Sequence, residues 1–338
     1  MIPAAEAVAR FAVDLDLLLK PGEHVGVAVS GGPDSLALLL LMAAARPGLV
    51  RVASVDHRLR EASRAEAEGV ASHCARLGIA CDILPIEWRE KRGSGLQEKA
   101  RAARYAALGQ WAMSQHLGTV ATGHHADDQA ETLVMRLIRG AGVRGLAAMR
   151  RSSPLPGQTG IRLIRPLLDW RRDELGAIVT AAGIGAVHDP SNDEEQHERV
   201  RIRRLLATNL WLDPVALAAS AAHLAAADEA IEYAVANEYA SVCSEGDTLS
   251  YDPRDTPSEL RRRVVSRIVA DLAIEGEGNM IRGRELDRLL AQIEAGSSAT
   301  LRGVVASGGP IWRFRPAPPR RQQVPPCAIE GRTDERHC

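Results

Sequence analysis

The chain has 338 residues, 46% hydrophobic but only 3% aromatic, enough for two domains whose cores must be built from Ala, Leu, Val and Ile. Its 42 basic residues against 43 acidic ones give a net charge of −1, so the whole-chain charge is silent on nucleic acid and only local segregation can speak. Five scattered cysteines (Cys74, Cys81, Cys243, Cys327, Cys338) without a C-x-x-C pair exclude a disulfide framework and a zinc site. The longest apolar run, 36–45, excludes a membrane span, and no basic-plus-apolar signal opens the chain, so a soluble cytoplasmic protein is expected.

Strand-like and helix-like stretches alternate through the first half. Strands are expected at 24–29, 50–55, 80–84 and 119–122, and helices at 34–46, 62–77, 96–116 and 126–139. Short apolar strands flanked by turn residues fit a sheet covered on both faces, which predicts an α/β fold with a doubly wound parallel sheet. Ligands of such sheets lie beyond the carboxyl ends of the strands. Those ends read SGGPDS, VDHRLR and TGHHADD.

From Gly140 the pattern loosens into an Arg- and Gly-rich connector with a helix around 169–182, an acidic turn DPSNDEEQHE and the basic string RVRIRRLLA. Helices are expected at 214–242, 258–273 and 284–295, followed by a hairpin around 307–310. The expected organisation is therefore a catalytic domain with its basic connector over 1–206, a mainly helical domain over 207–318, and a disordered tail over 319–338.

Three strings carry chemistry. In SGGPDS (Ser30, Gly31, Gly32, Pro33, Asp34, Ser35), glycines between strand and helix let backbone N–H groups approach phosphate, and the helix N-terminus favours an anion. Ser30 and Ser35 can donate hydroxyl hydrogen bonds, while Asp34 can hold Mg²⁺ or cap the helix. The loop has no Walker lysine, and the chain has just three lysines (Lys20, Lys91, Lys99), so phosphate recognition falls to guanidiniums and backbone amides. Asp56 and His57 end the second strand, where a nucleoside would lie. In TGHHADDQAETLVMRLIRG, Asp128 and Glu131 share one helix face with Asp127 adjacent, a cluster that needs a compensating cation such as Mg²⁺–ATP or a substrate ammonium. Arg136 and Arg139, one turn apart, are expected to face phosphate or RNA, and Arg101 and Arg104 form a second pair one turn apart beside Tyr105.

SGGPDS resembles the PP-loop of the ATP pyrophosphatases, which cleave ATP between its α and β phosphates and adenylate a substrate oxygen. The strings VDHRLR, E-x-x-A-R-x-x-R-Y, H-x-x-D-D-x-x-E-T-x-x-x-R-x-x-R-G, R-P-L-L, D-x-S-N and the pair Arg199 and Arg203 are together similar to the tRNA(Ile)-lysidine synthetases of that family. Val200 stands where that pattern has Asn. The likeness runs from about residue 23 to 206. It implies ATP and Mg²⁺ as cofactors, with Ser30, Gly31, Gly32, Pro33, Asp34, Ser35, Asp56, His57 and Gly123 at the nucleotide and Asp34 and Asp128 at the metal. It implies catalytic roles for Asp34, Arg101, Asp128, Glu131 and Arg199. The implied partners are a CAU-anticodon isoleucine tRNA and L-lysine, joined at carbon 2 of the wobble cytidine. The oligomeric state stays open, a homodimer being one option.

From Arg136 to Arg204 thirteen Arg stand against eight Asp or Glu, the local basic segregation expected of a tRNA contact. Two alternatives stay open. A tRNA 2-thiocytidine synthetase would share the loop but should carry C-x-x-C pairs, and a non-catalytic tRNA-binding protein would not need the carboxylates.

Overall fold

A computed structural model describes residues 3–59, 62–88, 95–185, 197–209, 211–273, 281 and 283–318. The chain forms two compact units, Met1–Asp228 and Glu229–Cys338.

Unit 1 opens with a helix that the sequence reading did not foresee, α1 (Ala5–Asp16), and then follows the expected alternation. Its next elements are β1 (Val25–Ala28), α2 (Pro33–Ala45), β2 (Val50–Asp56), α3 (Ala62–Leu77), β3 (Cys81–Pro85), α4 (Leu96–Ser114), β4 (Thr119–Ala121) and α5 (Ala126–Ile138). Within the loose connector lie α6 (Val143–Leu146), β5 (Ser152–Pro154), β6 (Arg162–Ile164) and α7 (Arg172–Ala181). After it come α8 (His197–Thr208) and α9 (Pro214–Tyr239).

The sheet order is β3-β2-β1-β4-β6-β5, parallel except for β5, which pairs antiparallel with β6 at the edge. The connector thus adds two strands of three residues each, too short to show a periodicity in the sequence. Successive strand residues face opposite layers. Val25, Val27, Val50, Val52, Ala121 and Ile164 meet the apolar faces of α1, α2, α3 and α7, while Ala53, Val120 and Leu163 meet Tyr105, Leu108 and Trp111 of α4. The chain winds outward from β1 to β3 and returns across the sheet to β4. Sheet order therefore reverses between β1 and β4, which places the loops after these two strands side by side at the switch point.

Unit 1 extends past the expected boundary at 206. Ile202 and Leu206 of α8 pack on Ala130 of α5, with Leu212 and Leu217 against them, and Arg150 donates to the Ala225 carbonyl at 2.7 Å and pairs with Asp228. These contacts hold the first half of α9 to unit 1.

Unit 2 has the expected helices, the second half of α9 with α10 (Ser258–Leu272) and α11 (Gly283–Glu294), and an antiparallel sheet beside them. Its strands, β7 (Cys243–Glu245), β8 (Thr248–Tyr251), β9 (Ser298–Leu301), β10 (Val304–Ser307) and β11 (Trp312–Pro316), run in the order β7-β8-β11-β10-β9. The expected hairpin is β10–β11, whose inward Val304, Ala306, Trp312 and Phe314 close on Val265, Ile268 and Leu289. Among the described residues no helix is long and apolar enough to cross a membrane, and Cys74, Cys81 and Cys243 are free thiols. The tail 319–338 and the D-x-S-N string at 189–192 lie outside the described residues.

Candidate active site

The loop after β1 is shaped by its own hydroxyls. Gly31 adopts φ +86°, a left-handed conformation that favours glycine, and Gly32 and Pro33 then start α2 with no side chain capping it. Ser35 Oγ accepts from the Ser30 N–H at 3.1 Å, lies 3.2 Å from Ser30 Oγ and donates to the Gly32 carbonyl at 2.9 Å. The two serines therefore brace the loop. That leaves the backbone amides at the uncapped, positive end of α2 open to an anion.

Gly123, after β4, explains how closely the second loop approaches. A Cβ there would lie 2.9 Å from the Asp34 carbonyl oxygen and 3.1 Å from the Ser35 nitrogen. Only a glycine lets the end of β4 rest on the first turn of α2. Two anchors then fix the start of α5: the Ala126 N–H donates to the Trp170 carbonyl at 2.9 Å, and the Gln129 side chain makes two bonds of 2.9 Å to the Met149 backbone. The Asp128 carboxylate turns back to the His125 N–H at 3.3 Å, capping its own helix.

His125 is the residue that the sequence reading missed. It is 0% exposed and joins the two loops, its Nε2 lying 3.4 Å from both Asp34 Oδ2 and Asp128 Oδ2 and its Nδ1 3.5 Å from Asp127 Oδ2. Burial alone would strip its proton, but the three carboxylates prevail and push its pKa up to about 10. Asp127 in turn, despite burial, is held down to about 2 by His125 and by the Arg172 N–H, which donates to it at 2.9 Å. Asp128, half-buried, is also held below its ordinary range by His125, His124, Arg199 and Arg172, against the effect of burial.

One turn further along α5, Glu131 is 1% exposed. It accepts from Arg199 Nε and Arg203 Nε at 2.8 Å each, with Arg172 NH2 at 3.6 Å. Arg199 NH2 also lies 3.7 Å from Asp128 Oδ1. The acidic cluster thus draws its compensating cations from the chain itself, where the sequence reading looked to Mg²⁺–ATP or a substrate ammonium.

The remaining expected residues divide. Asp56 is buried, and its Oδ1 accepts from the Arg58 N–H at 3.0 Å and Ser63 Oγ at 2.8 Å, so it ties the β2–α3 loop. The His57 carbonyl accepts from Trp88 Nε1 at 2.6 Å. Arg101 lies over the Tyr105 ring, on the α4 side of the sheet. Arg136 donates to the Gly145 and Ala148 carbonyls and so closes the end of α6, and Arg139, at the exposed end of α5, pairs with Glu198.

The residue set also bears on a divalent cation. Asp34 Oδ1 is buried without a hydrogen bond, and Asp34 and Asp128 converge on one imidazole. No group of three or more His, Cys, Asp or Glu among the described residues could hold a metal alone. Two carboxylates with phosphate oxygens completing the shell is the usual Mg²⁺ arrangement, so these residues fit that ion.

The family model of the PP-loop domain matches residues 4–210. A tRNA(Ile)-lysidine synthase of Novosphingobium aromaticivorans is 49% identical over 323 residues, 95% of this chain and 97% of the relative. One from Zymomonas mobilis is 40% identical over 89% of this chain and 90% of its own. Among solved structures, the U34-tRNA thiolase NcsA of Methanococcus maripaludis, with its [4Fe-4S] cluster, superposes with a TM-score of 0.52 at 18% identity. It covers 64% of this chain and 76% of its own, a likeness of fold alone. With the loop, the acidic helix and the paired arginines in one place, and with relatives matched end to end, this chain belongs to the tRNA(Ile)-lysidine synthase family of PP-loop proteins.

Proposed function

We propose that this protein uses ATP to join L-lysine to carbon 2 of the wobble cytidine of the CAU-anticodon isoleucine tRNA, releasing AMP and pyrophosphate. The observation that carries the reading is the junction at His125, which sets the phosphate-binding turn of Asp34 and the carboxylate of Asp128 on one point.

In the first step the cytosine carbonyl oxygen attacks the α-phosphorus, and the bond to pyrophosphate breaks. Amides at the start of α2 and the Arg199 guanidinium receive the charge that develops on the leaving group. Asp34 and Asp128 would hold Mg²⁺, which when bound neutralises phosphate charge. In the second step the lysine ε-amine attacks carbon 2, the carbon–oxygen bond breaks, and AMP departs with the oxygen. The incoming ammonium must first lose a proton. Asp128 is an anion at neutral pH, the form that binds an ammonium and accepts a proton from it. Glu131, held by two arginines, serves better as their anchor than as a second base. The basic connector supplies phosphate contacts to the tRNA.

ATP-dependent pyrophosphate release with a CAU-anticodon isoleucine tRNA transcript, with and without lysine, tests the reading. Release that requires this tRNA, and lysine retained in the tRNA product, are expected. Release indifferent to the anticodon, or no lysine in the product, refutes it.

A further inference from the structure

Four of the five tryptophans are used inside the fold. Trp111, Trp170 and Trp312 are at most 4% exposed, and Trp88 donates its indole N–H to the His57 carbonyl at 2.6 Å. Trp211 is the exception, 79% exposed on the turn between α8 and α9. One apolar side chain in water is ordinary, but the surroundings of this one are specific. Its turn is fixed: Leu212 packs beside Ile202 and Leu206, and the Asp213 carboxylate caps α9 by accepting from the Val215 and Ala216 N–H groups at 3.2 and 3.3 Å. Asp213 also accepts from Arg171 NH1 at 3.1 Å, and Arg171 Nε lies 3.8 Å from Asp127 Oδ2. Two ion pairs therefore tie the turn to a carboxylate that touches His125. Behind Trp211, the exposed Arg201, Arg204 and Thr208 follow one another along α8 at helical spacing, on the face opposite Arg199 and Arg203. A row of guanidiniums and a hydroxyl thus ends in a bare indole beside the site.

We propose that Trp211 stacks on an unpaired base of the anticodon loop next to the reacting cytidine, while Arg204 meets the phosphate beside that base. This rests on the lysine-transfer reading above and names how the strand around the reacting base is held. Drawing one base into an enclosed site separates it from its neighbours in the stack. An indole on a fixed turn gives one of those neighbours a new face, and a flanking guanidinium follows the backbone. Every base has such a face, so this contact grips the strand without reading its sequence. The same row does not suit an apolar protein partner, because covering it would take Arg201 and Arg204 out of water without supplying an anion.

Full-length protein bearing Trp211→Ala or Trp211→Phe tests the contact, with an isoleucine tRNA transcript that is intact or carries an abasic nucleotide on either side of the wobble position. Trp211→Ala should raise the KM for intact tRNA about tenfold, by more than it lowers kcat, with a Tm near the native one. Trp211→Phe should keep most of the affinity. Removing one of the two flanking bases should cost the native protein a similar factor and cost Trp211→Ala nothing more. Arg204→Gln should weaken binding of every transcript alike and lower the log–log salt slope by about one. Lysine transfer by the native protein with an unchanged tRNA KM in Trp211→Ala overturns the contact alone. So do equal losses from the abasic nucleotides in native and variant protein. A native protein that sediments as a dimer beside a monomeric Trp211→Ala assigns the indole to a second copy, which also overturns it. No lysine transfer by the native protein overturns the functional reading on which the proposal rests.

Discussion

Glu131→Gln separates an anchoring carboxylate from a proton-accepting one. The substitution keeps the shape of a side chain that is 1% exposed and removes the charge that Arg199 and Arg203 each meet at 2.8 Å. Removing one partner of a buried ion pair costs about 3–5 kcal/mol, because the other charge is left behind. Here the arginine side chains are 31% and 35% exposed, and water recovers part of the loss. About 2–3 kcal/mol should remain. At roughly 2–4 °C per kcal/mol for a unit of this size, Tm should fall by about 4–12 °C. Calorimetry gives the shift directly, and urea unfolding with an unchanged m value would show that the native state is the one affected. In single-turnover assays lysine transfer should slow by at least about tenfold, with tRNA affinity little changed, because Arg199 is no longer held. A native Tm with transfer lowered by about 10²–10⁴ would make Glu131 the proton acceptor and refute its role as anchor. Native behaviour in both would mean that the arginines find other partners at no cost.

Three further outcomes follow from the same geometry. Asp34→Ala should abolish AMP and pyrophosphate formation while the far-UV spectrum stays native, and turnover at the native rate would remove the loop from the chemistry. Gly123→Ala puts a methyl 2.9 Å from the Asp34 carbonyl, so it should displace the first turn of α2, raise the KM for ATP several-fold and cost about 1–3 kcal/mol; unchanged ATP binding counts against the close approach. In chelator-containing buffer, the stability that His125 supplies should be complete below its ordinary pKa of 6.5, decline as pH rises above it, and vanish above about 10, because the unfolded chain loses that proton first. His125→Gln should flatten this alkaline slope, and equal slopes for native and variant protein would refute the buried imidazolium.

How legible the molecule is in its sequence depends on how far each signal extends along the chain. The strands and helices from β1 to α5 are visible because each is an apolar run long enough to show a period and is bounded by turn residues. β5 and β6 are not, being three residues each, and α1 went unread although Phe11 and Leu15 pack beneath α2. At the site, Asp34, Asp128, Glu131 and Arg199 stand out because their motifs resemble those of one family, and the structure brings them to one place. His125 went unassigned because a histidine between two glycine-flanked turns is ordinary in sequence. Its meaning comes from Asp34, far away in the chain. The serines and Asp56, read as ligand contacts from their position beside a phosphate loop, also make intraloop hydrogen bonds, which leave no periodic trace in the sequence.

The source of the compensating charge bears on how substrates enter. An acidic helix start waiting for Mg²⁺ or an ammonium would be repulsive until one arrived. Instead Asp128 already has His125 Nε2 at 3.4 Å and Arg199 NH2 at 3.7 Å, while Arg199 keeps its shorter bond to Glu131. A cationic substrate that takes Asp128 therefore displaces a guanidinium contact, and an anionic one that takes Arg199 frees Asp128. Exchanging one charged partner for another avoids the desolvation of a bare ion, the largest unfavourable contribution when charged groups are buried. It also couples the two steps. Phosphate drawing on Arg199 leaves Asp128 with less positive charge beside it, so once pyrophosphate and the Mg²⁺ it would carry have gone, Asp128 is left for the incoming ammonium. The long contact between Arg199 and Asp128 and the short one to Glu131 are what such an exchange requires: one guanidinium held firmly in place, with its outer nitrogen free to change partners.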